Sequence, residues 1–147
     1  MKNLAKVLIL LSLFGCYNKQ IKNNEINQKD IEKNEDPIEF KTLLDLHNNA
    51  RYKNLALDKD LCKLAQKQSD YILKKRKLIH SDLSKLEYKL IGENIAYGQN
   101  SEKEVFNDWM NSYEHKKNIL NKNYNKVGFG KSISESGVVY WCAIFTN

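Results

Sequence analysis

Three cysteines and three histidines carry much of the chemical capability of this 147-residue chain. None of the cysteines stands in a CxxC pair, and Cys62 and Cys142 are eighty residues apart, so neither a structural zinc knot nor a catalytic thiol is spelled out. Those two read either as a disulfide or as two small buried apolar residues. His47 recurs with Phe40, Leu43, Leu44 and Ala50 at helical spacing, which makes it a core histidine at the buried edge of a helix. Ser112 and His115 are three residues apart, close enough on a helix for a hydroxyl to meet an imidazole. A hydrolase also needs a group that orients the base and donors for an oxyanion. The sequence offers neither, so no residue is assigned as catalytic and enzyme activity is not expected.

Cys16 is set apart by what precedes it. Lys2 and Lys6 lead into the apolar run Val7 to Phe14, followed by Gly15-Cys16. A permanent transmembrane helix needs roughly 20 apolar residues, whereas a run this short suits a signal peptide. Leu13-Phe14-Gly15-Cys16 resembles a bacterial lipobox, with Phe14 bulkier than usual. The expectation is a signal peptide over 1–15, lipidation of Cys16, and anchoring by several acyl chains, which hold a membrane far better than one. Tyr17 gives no acidic retention cue, so the outer membrane or cell surface is the expected location. Residues 17–36 are almost wholly polar with spaced isoleucines. Such a stretch buries too little to offset its ordering entropy and reads as a tether, closed by Pro37. Residues 16–37 are thus lipidated cysteine and tether, and 38–147 one globular domain.

Composition agrees with a single globular domain. The chain is 41% hydrophobic and 29% charged, with one Pro and six Gly, which excludes collagen-like and Pro/Gly-rich disordered classes. Formal charge is +6, and +4 once Lys2 and Lys6 are removed with the leader. The densest basic run, Lys74-Lys75-Arg76-Lys77, reads as the solvated end of a helix. No groove-reading motif accompanies it, so nucleic acid is not an expected partner. A monomer is expected.

Four helices are predicted. The first carries Phe40 to Ala50. The second carries Leu61, Leu64, Ala65, Gln68 and Ile72 behind Asp58 as N-cap. In the third, Ser101 and Glu104 have capping-box spacing ahead of a stripe of Val105, Phe106, Trp109, Met110 and Tyr113, with Trp109 as core anchor. The fourth covers His115 to Leu120. Val127-Gly128-Phe129-Gly130 and Val138 to Phe145, separated by Ser134-Glu135-Ser136-Gly137, predict a hairpin. Its second strand is apolar on both faces and must be covered on both sides. The expected fold is α+β, a three-layer αβα sandwich around a small, mostly antiparallel sheet.

Several stretches, in order, resemble the CAP superfamily (SCP or PR-1-like) in its bacterial form: His47-Asn48-Asn49-Ala50-Arg51, His80-Ser81, Gly92-Glu93-Asn94-Ile95-Ala96, then Trp109-Met110-Asn111-Ser112 with His115 to Leu120 and Val127 to Gly130. The resemblance covers essentially all of 38–147. It implies a cleft of two histidines and two acids that in some members binds a divalent metal. His80, Glu93 and His115 match three of these positions. Ser112 stands where the Trp-x-x-Glu form has its second acid, and Glu114 lies two residues on, about 200° away around a helix.

Two imidazoles and one carboxylate match the ligand count of an open zinc site. The same residues also read structurally, with His80 beside Ser81 capping a loop, Glu93 receiving backbone N–H groups, and His115 capping a helix. Asn48 and Arg51 read as polar groups that satisfy chain ends. Taken together, the expected function is a membrane-anchored, non-catalytic binding module for a host or envelope protein or a lipid. The alternatives are a metal-dependent hydrolase or protease using His80, Glu93 and His115, and a lipid or sterol carrier. No cofactor is required, and Zn²⁺ or another divalent metal is what the cleft would take.

Overall fold

A computed structural model describes residues 40–147, which fall in the unit Pro37–Asn147. The leader, Cys16 and the tether lie outside the described residues. The elements are α1 (Lys41–Asn49), β1 (Ala56–Leu57), α2 (Lys59–Lys75), a 3₁₀ turn (Leu83–Lys85), β2 (Ile91–Tyr97), α3 (Glu102–Asn111), α4 (Tyr113–Leu120), β3 (Lys126–Ile133) and β4 (Val139–Thr146). The sheet order is β1-β3-β4-β2. Strand β1 is parallel to β3, while β3/β4 and β2/β4 pair antiparallel.

The absence of a polar face on β4 dictates the layering, because alternate side chains must enter two separate cores. Val139, Trp141, Ala143 and Phe145 join Leu43, Val105, Phe106, Trp109, Ile119 and Phe129 beneath α1, α3 and α4. Tyr140, Cys142 and Ile144 join Leu61, Ala65, Ile72 and Ile95 beneath α2. The αβα sandwich and its mostly antiparallel sheet are therefore as expected. Trp109, 1% exposed, is a core anchor. Among the described residues no helix is long and apolar enough to cross a membrane.

Helix ends follow local chemistry. Asp58 caps α2 by accepting from the N–H groups of Asp60 and Leu61. Ser101 Oγ accepts from Glu104 N–H at 3.2 Å, but the return bond of the capping box is displaced by one residue, since Glu104 Oε2 accepts from Asn100 N–H at 2.9 Å. Helix α1 begins at Phe40 in a left-handed conformation without a side-chain cap of its own. Glu102 Oε2 compensates by accepting from Leu43 N–H at 2.6 Å. Asn48 exchanges two bonds with the Leu55 backbone, and the Arg51 guanidinium collects the carbonyls of Ile119, Asn121 and Tyr124 at the end of α4. Both residues are structural, as their positions implied.

Two sequence expectations are corrected, and two strands were not foreseen. Tyr113 does not extend the stripe of α3: the chain turns extended at Ser112 (φ −98°, ψ 125°), α4 starts at Tyr113, and that ring is 78% exposed. The fourth helix thus begins two residues earlier than His115. Strands β1 and β2 escape a reading by periodicity; β1 is only two residues long, and β2 buries Glu93 and Asn94, which break its apolar pattern.

The glycines of β3 set how closely α2 approaches. A Cβ on Gly130 would sit 2.3 Å from backbone atoms of Ala65 and Gln66, and one on Gly128 would meet Leu61 and Cys62 backbone at 2.1–2.2 Å. The helix lies directly on the bare backbone of the strand. Gly130→Ala should therefore destabilise by about 1–3 kcal/mol through overpacking, a fall of roughly 5–15 °C in melting temperature, measurable by calorimetry.

His47 is fully buried among Phe106, Trp109, Phe129 and Phe145. Burial lowers its pKa from 6.5 to about 4, against the opposing effect of the Leu43 carbonyl, 2.7 Å from Nδ1. The unfolded chain thus takes up this proton at higher pH than the folded one. Stability from this group is complete above pH 6.5, declines as pH falls towards 4, and loses about 3 kcal/mol in all. Urea unfolding at a series of pH values should show that slope in the parent and a shallower one in His47→Leu.

Candidate functional site

Strand β2 lies at an edge of the sheet, and the candidate residues gather around it. Glu93 points to the face that α2 covers, with its side chain 2% exposed. Its Oε1 receives Ser81 N–H at 3.0 Å and faces His80 Nδ1 at 2.8 Å. Its Oε2 accepts from Ser81 Oγ at 2.5 Å and lies 3.9 Å from Cys142 Sγ. A carboxylate only accepts, so His80 carries its proton on Nδ1 when the ring is neutral, leaving the Nε2 lone pair available. The His80 side chain is 63% exposed. A buried acid thus holds an exposed imidazole in one tautomer, the outer-shell arrangement known from metal-ligating and catalytic histidines.

The opposite face of β2 meets α4. Asn94 Nδ2 donates to the His115 carbonyl at 3.1 Å, while Asn118 Nδ2 donates to Asn94 Oδ1 at 2.8 Å and to the Glu93 carbonyl at 3.2 Å. These two amides fasten the helix bearing His115 to the strand bearing Glu93. His115 is half-buried, and its pKa is lowered, first by burial and then by the charge of His80. The charge of His80 thus reaches His115, whose helix packs on the face of β2 opposite to Glu93. Burial, then the Glu93 charge, pushes the Cys142 thiol well up.

Sequence reasoning placed His80, Glu93 and His115 in one neighbourhood; the structure bonds His80 to Glu93 directly and ties His115 to the same strand through its backbone carbonyl. Glu93 accepts a backbone N–H, as its structural reading allowed, and positions His80. Ser112 is the junction between α3 and α4 and provides no side-chain cap to α4. Among the described residues no group of three His, Cys, Asp or Glu side chains is arranged to hold a metal ion. The donor chemistry gives the reason: both Glu93 oxygens are already engaged, so the residues fit a pair of imidazoles backed by a carboxylate better than a three-ligand centre. Cys142 carries a free thiol, so it is not bridged to Cys62. Sequence reading missed the joining roles of Asn94 and Asn118. Each asparagine stands between a charged residue and an Ile, Glu93 and Ile95 for one and Lys117 and Ile119 for the other, and only the fold pairs them.

The chain, a three-layer sandwich whose edge strand carries the glutamate of a histidine–glutamate pair, belongs to the CAP family: the model of CAP, the cysteine-rich secretory protein family, matches residues 44–145. It is similar to the uncharacterized protein YkwD of Bacillus subtilis (strain 168), at 36% identity over 115 residues, covering 68% of this chain and 44% of that protein. The chain thus spans less than half the length of this curated relative. In fold it resembles an outer surface protein of Borrelia burgdorferi (TM-score 0.64, 21% identity, 82% of this chain and 93% of that one). It also resembles an extracellular SCP-domain protein of Bacillus anthracis str. Ames (TM-score 0.59, 23% identity, 72% and 39%).

The order of causes at His115 yields a test. His80→Ala should raise the His115 pKa by removing the neighbouring charge, yet leave it below 6.5 because burial, the larger cause, remains. Histidine titration by NMR would check both parts.

Proposed function

We propose that this CAP domain protein is an exported, lipid-anchored, non-catalytic binding module at the outer membrane or cell surface, with a protein or lipid as its ligand. The observation that carries the reading is the engagement of the Glu93 carboxylate, whose two oxygens hold the His80 loop and face Cys142. An acid so committed orients a neighbour and has no oxygen left to activate water. What remains outward is a fixed, exposed imidazole beside a half-buried one, which suits recognition. The leader-like residues 1–15, followed by Cys16, support the anchor. The names of two fold relatives, an outer surface protein and an extracellular protein, agree with export.

A divalent metal is the second reading, supported by the resemblance of His80, Glu93 and His115 to the histidines and acid of a metal-binding cleft and by the reach of the His80 charge to His115. It would bind weakly, since Ser112 stands where an acid would complete the set.

Two experiments test these readings. Cys16→Ala should move the protein from the membrane to the soluble fraction, and a variant that still partitions into detergent like the parent contradicts the anchor. On that soluble variant, an unbiased pull-down should capture a ligand and lose it in His80→Ala. Calorimetry with Zn²⁺ should show binding strengthened by Ser112→Glu and abolished by His115→Ala if metal is the ligand; identical isotherms for parent and His115→Ala remove it.

A further inference from the structure

The basic run at the end of α2 takes no part in the site above. No acidic residue occurs between Asp70 and Asp82, and Lys74, Arg76 and Lys77 have no ion-pair partner among the described residues. Lys74 and Lys75 lie in the last turn of the helix, where cations offset the negative end of its dipole. That explanation stops short of Arg76 and Lys77, which lie beyond the last turn. Arg76 adopts φ 50°, ψ 35°, a left-handed position usually given to glycine. In that conformation it lines a cavity of about 340 Å³ together with Lys77, Leu78, Tyr97 and Tyr140. The tyrosines face each other across β2 and β4 and stack, with ring centroids 5.8 Å apart and planes at 20°. Tyr97 is 56% exposed. This cavity is about 13 Å along β2 from Glu93.

We propose that it binds an acidic saccharide, a pyranose ring bearing a carboxylate or sulfate. The guanidinium of Arg76 presents a planar fork of donors matched to paired oxygens, and Lys77 adds a second charge. Tyr97, exposed and backed by the buried Tyr140, supplies an apolar platform whose electron-rich outer face attracts the polarised C–H bonds of a sugar ring, while its hydroxyl can pair with sugar hydroxyls. The volume lies at the small end of ligand sites, suited to one ring of a longer chain held at the surface. A bare phosphate would make no use of the aromatic pair. The proposal goes beyond the function proposed above and does not depend on it.

The test uses the mature chain carrying Cys16→Ala, so that no acyl chain contributes. Its probes are a heparin hexasaccharide, polyphosphate and phosphatidylglycerol vesicles. Heparin should bind, and Arg76→Gln with Lys77→Gln should weaken it about tenfold. Lys74→Gln with Lys75→Gln removes equal charge outside the cavity and should cost less than about threefold. Tyr97→Leu, which keeps apolar bulk without the ring, should weaken heparin but leave any polyphosphate binding unchanged. Equal losses in the two double variants would reduce the effect to general electrostatics and overturn the proposal. So would heparin binding indifferent to Tyr97, or binding to vesicles alone. The comparison of the two charge pairs stands even if Tyr97→Leu folds poorly, which circular dichroism would reveal.

Discussion

The structure depends on one constraint: β4 has no side that water can be allowed to touch. A strand of eight residues buried on both faces commits the chain to two cores and to helices on either side of the sheet. The paired glycines of β3 answer the same demand, since α2 can seal one core only by resting on bare backbone. On the other side the seal is aromatic, and it encloses a histidine that must stay neutral. Each layer has its own solution, and neither could be relaxed without opening the central strand.

The candidate site is a by-product of how that sheet ends. Strand β2 is at an edge, so the loop after α2 can reach it from one face and α4 from the other. Both histidine-bearing elements are tied to one strand because Glu93 and Asn94, adjacent in sequence, point to opposite sides. One fastens His80, and the other, through Asn118, fastens the helix of His115. Alternation along a strand thus turns two neighbouring polar residues into supports for two elements.

Much of this was legible in the sequence where apolar spacing carries the information. The doubly apolar β4, the cap at Asp58, the hairpin and the stripe of α3 are local patterns with a single physical reading. The break at Ser112 was not legible, because Tyr113 falls at the spacing of the stripe and nothing local excludes it. Strand β2 was hidden for the opposite reason: its Glu93 and Asn94 are buried by partners 12 to 24 residues away, and no window of periodicity includes those. The resemblance of motifs supplied His80, Glu93 and His115 as a set. Only the bonding pattern separates the acid that supports from the imidazoles that face outward.

The two borders of the sheet carry a consequence for life at high density. One border is β1, two residues long. At the other, the middle of β2 gives its Glu93 carbonyl to Asn118 and lies under α4. At the β2 border a neighbouring copy therefore finds an occupied carbonyl and a helix, whereas on the other side Gly128 to Ile133 of β3 extend past β1 without a strand partner. The asparagines that bind the helix of His115 to β2 thus also blunt one of the sheet's two borders against strand addition.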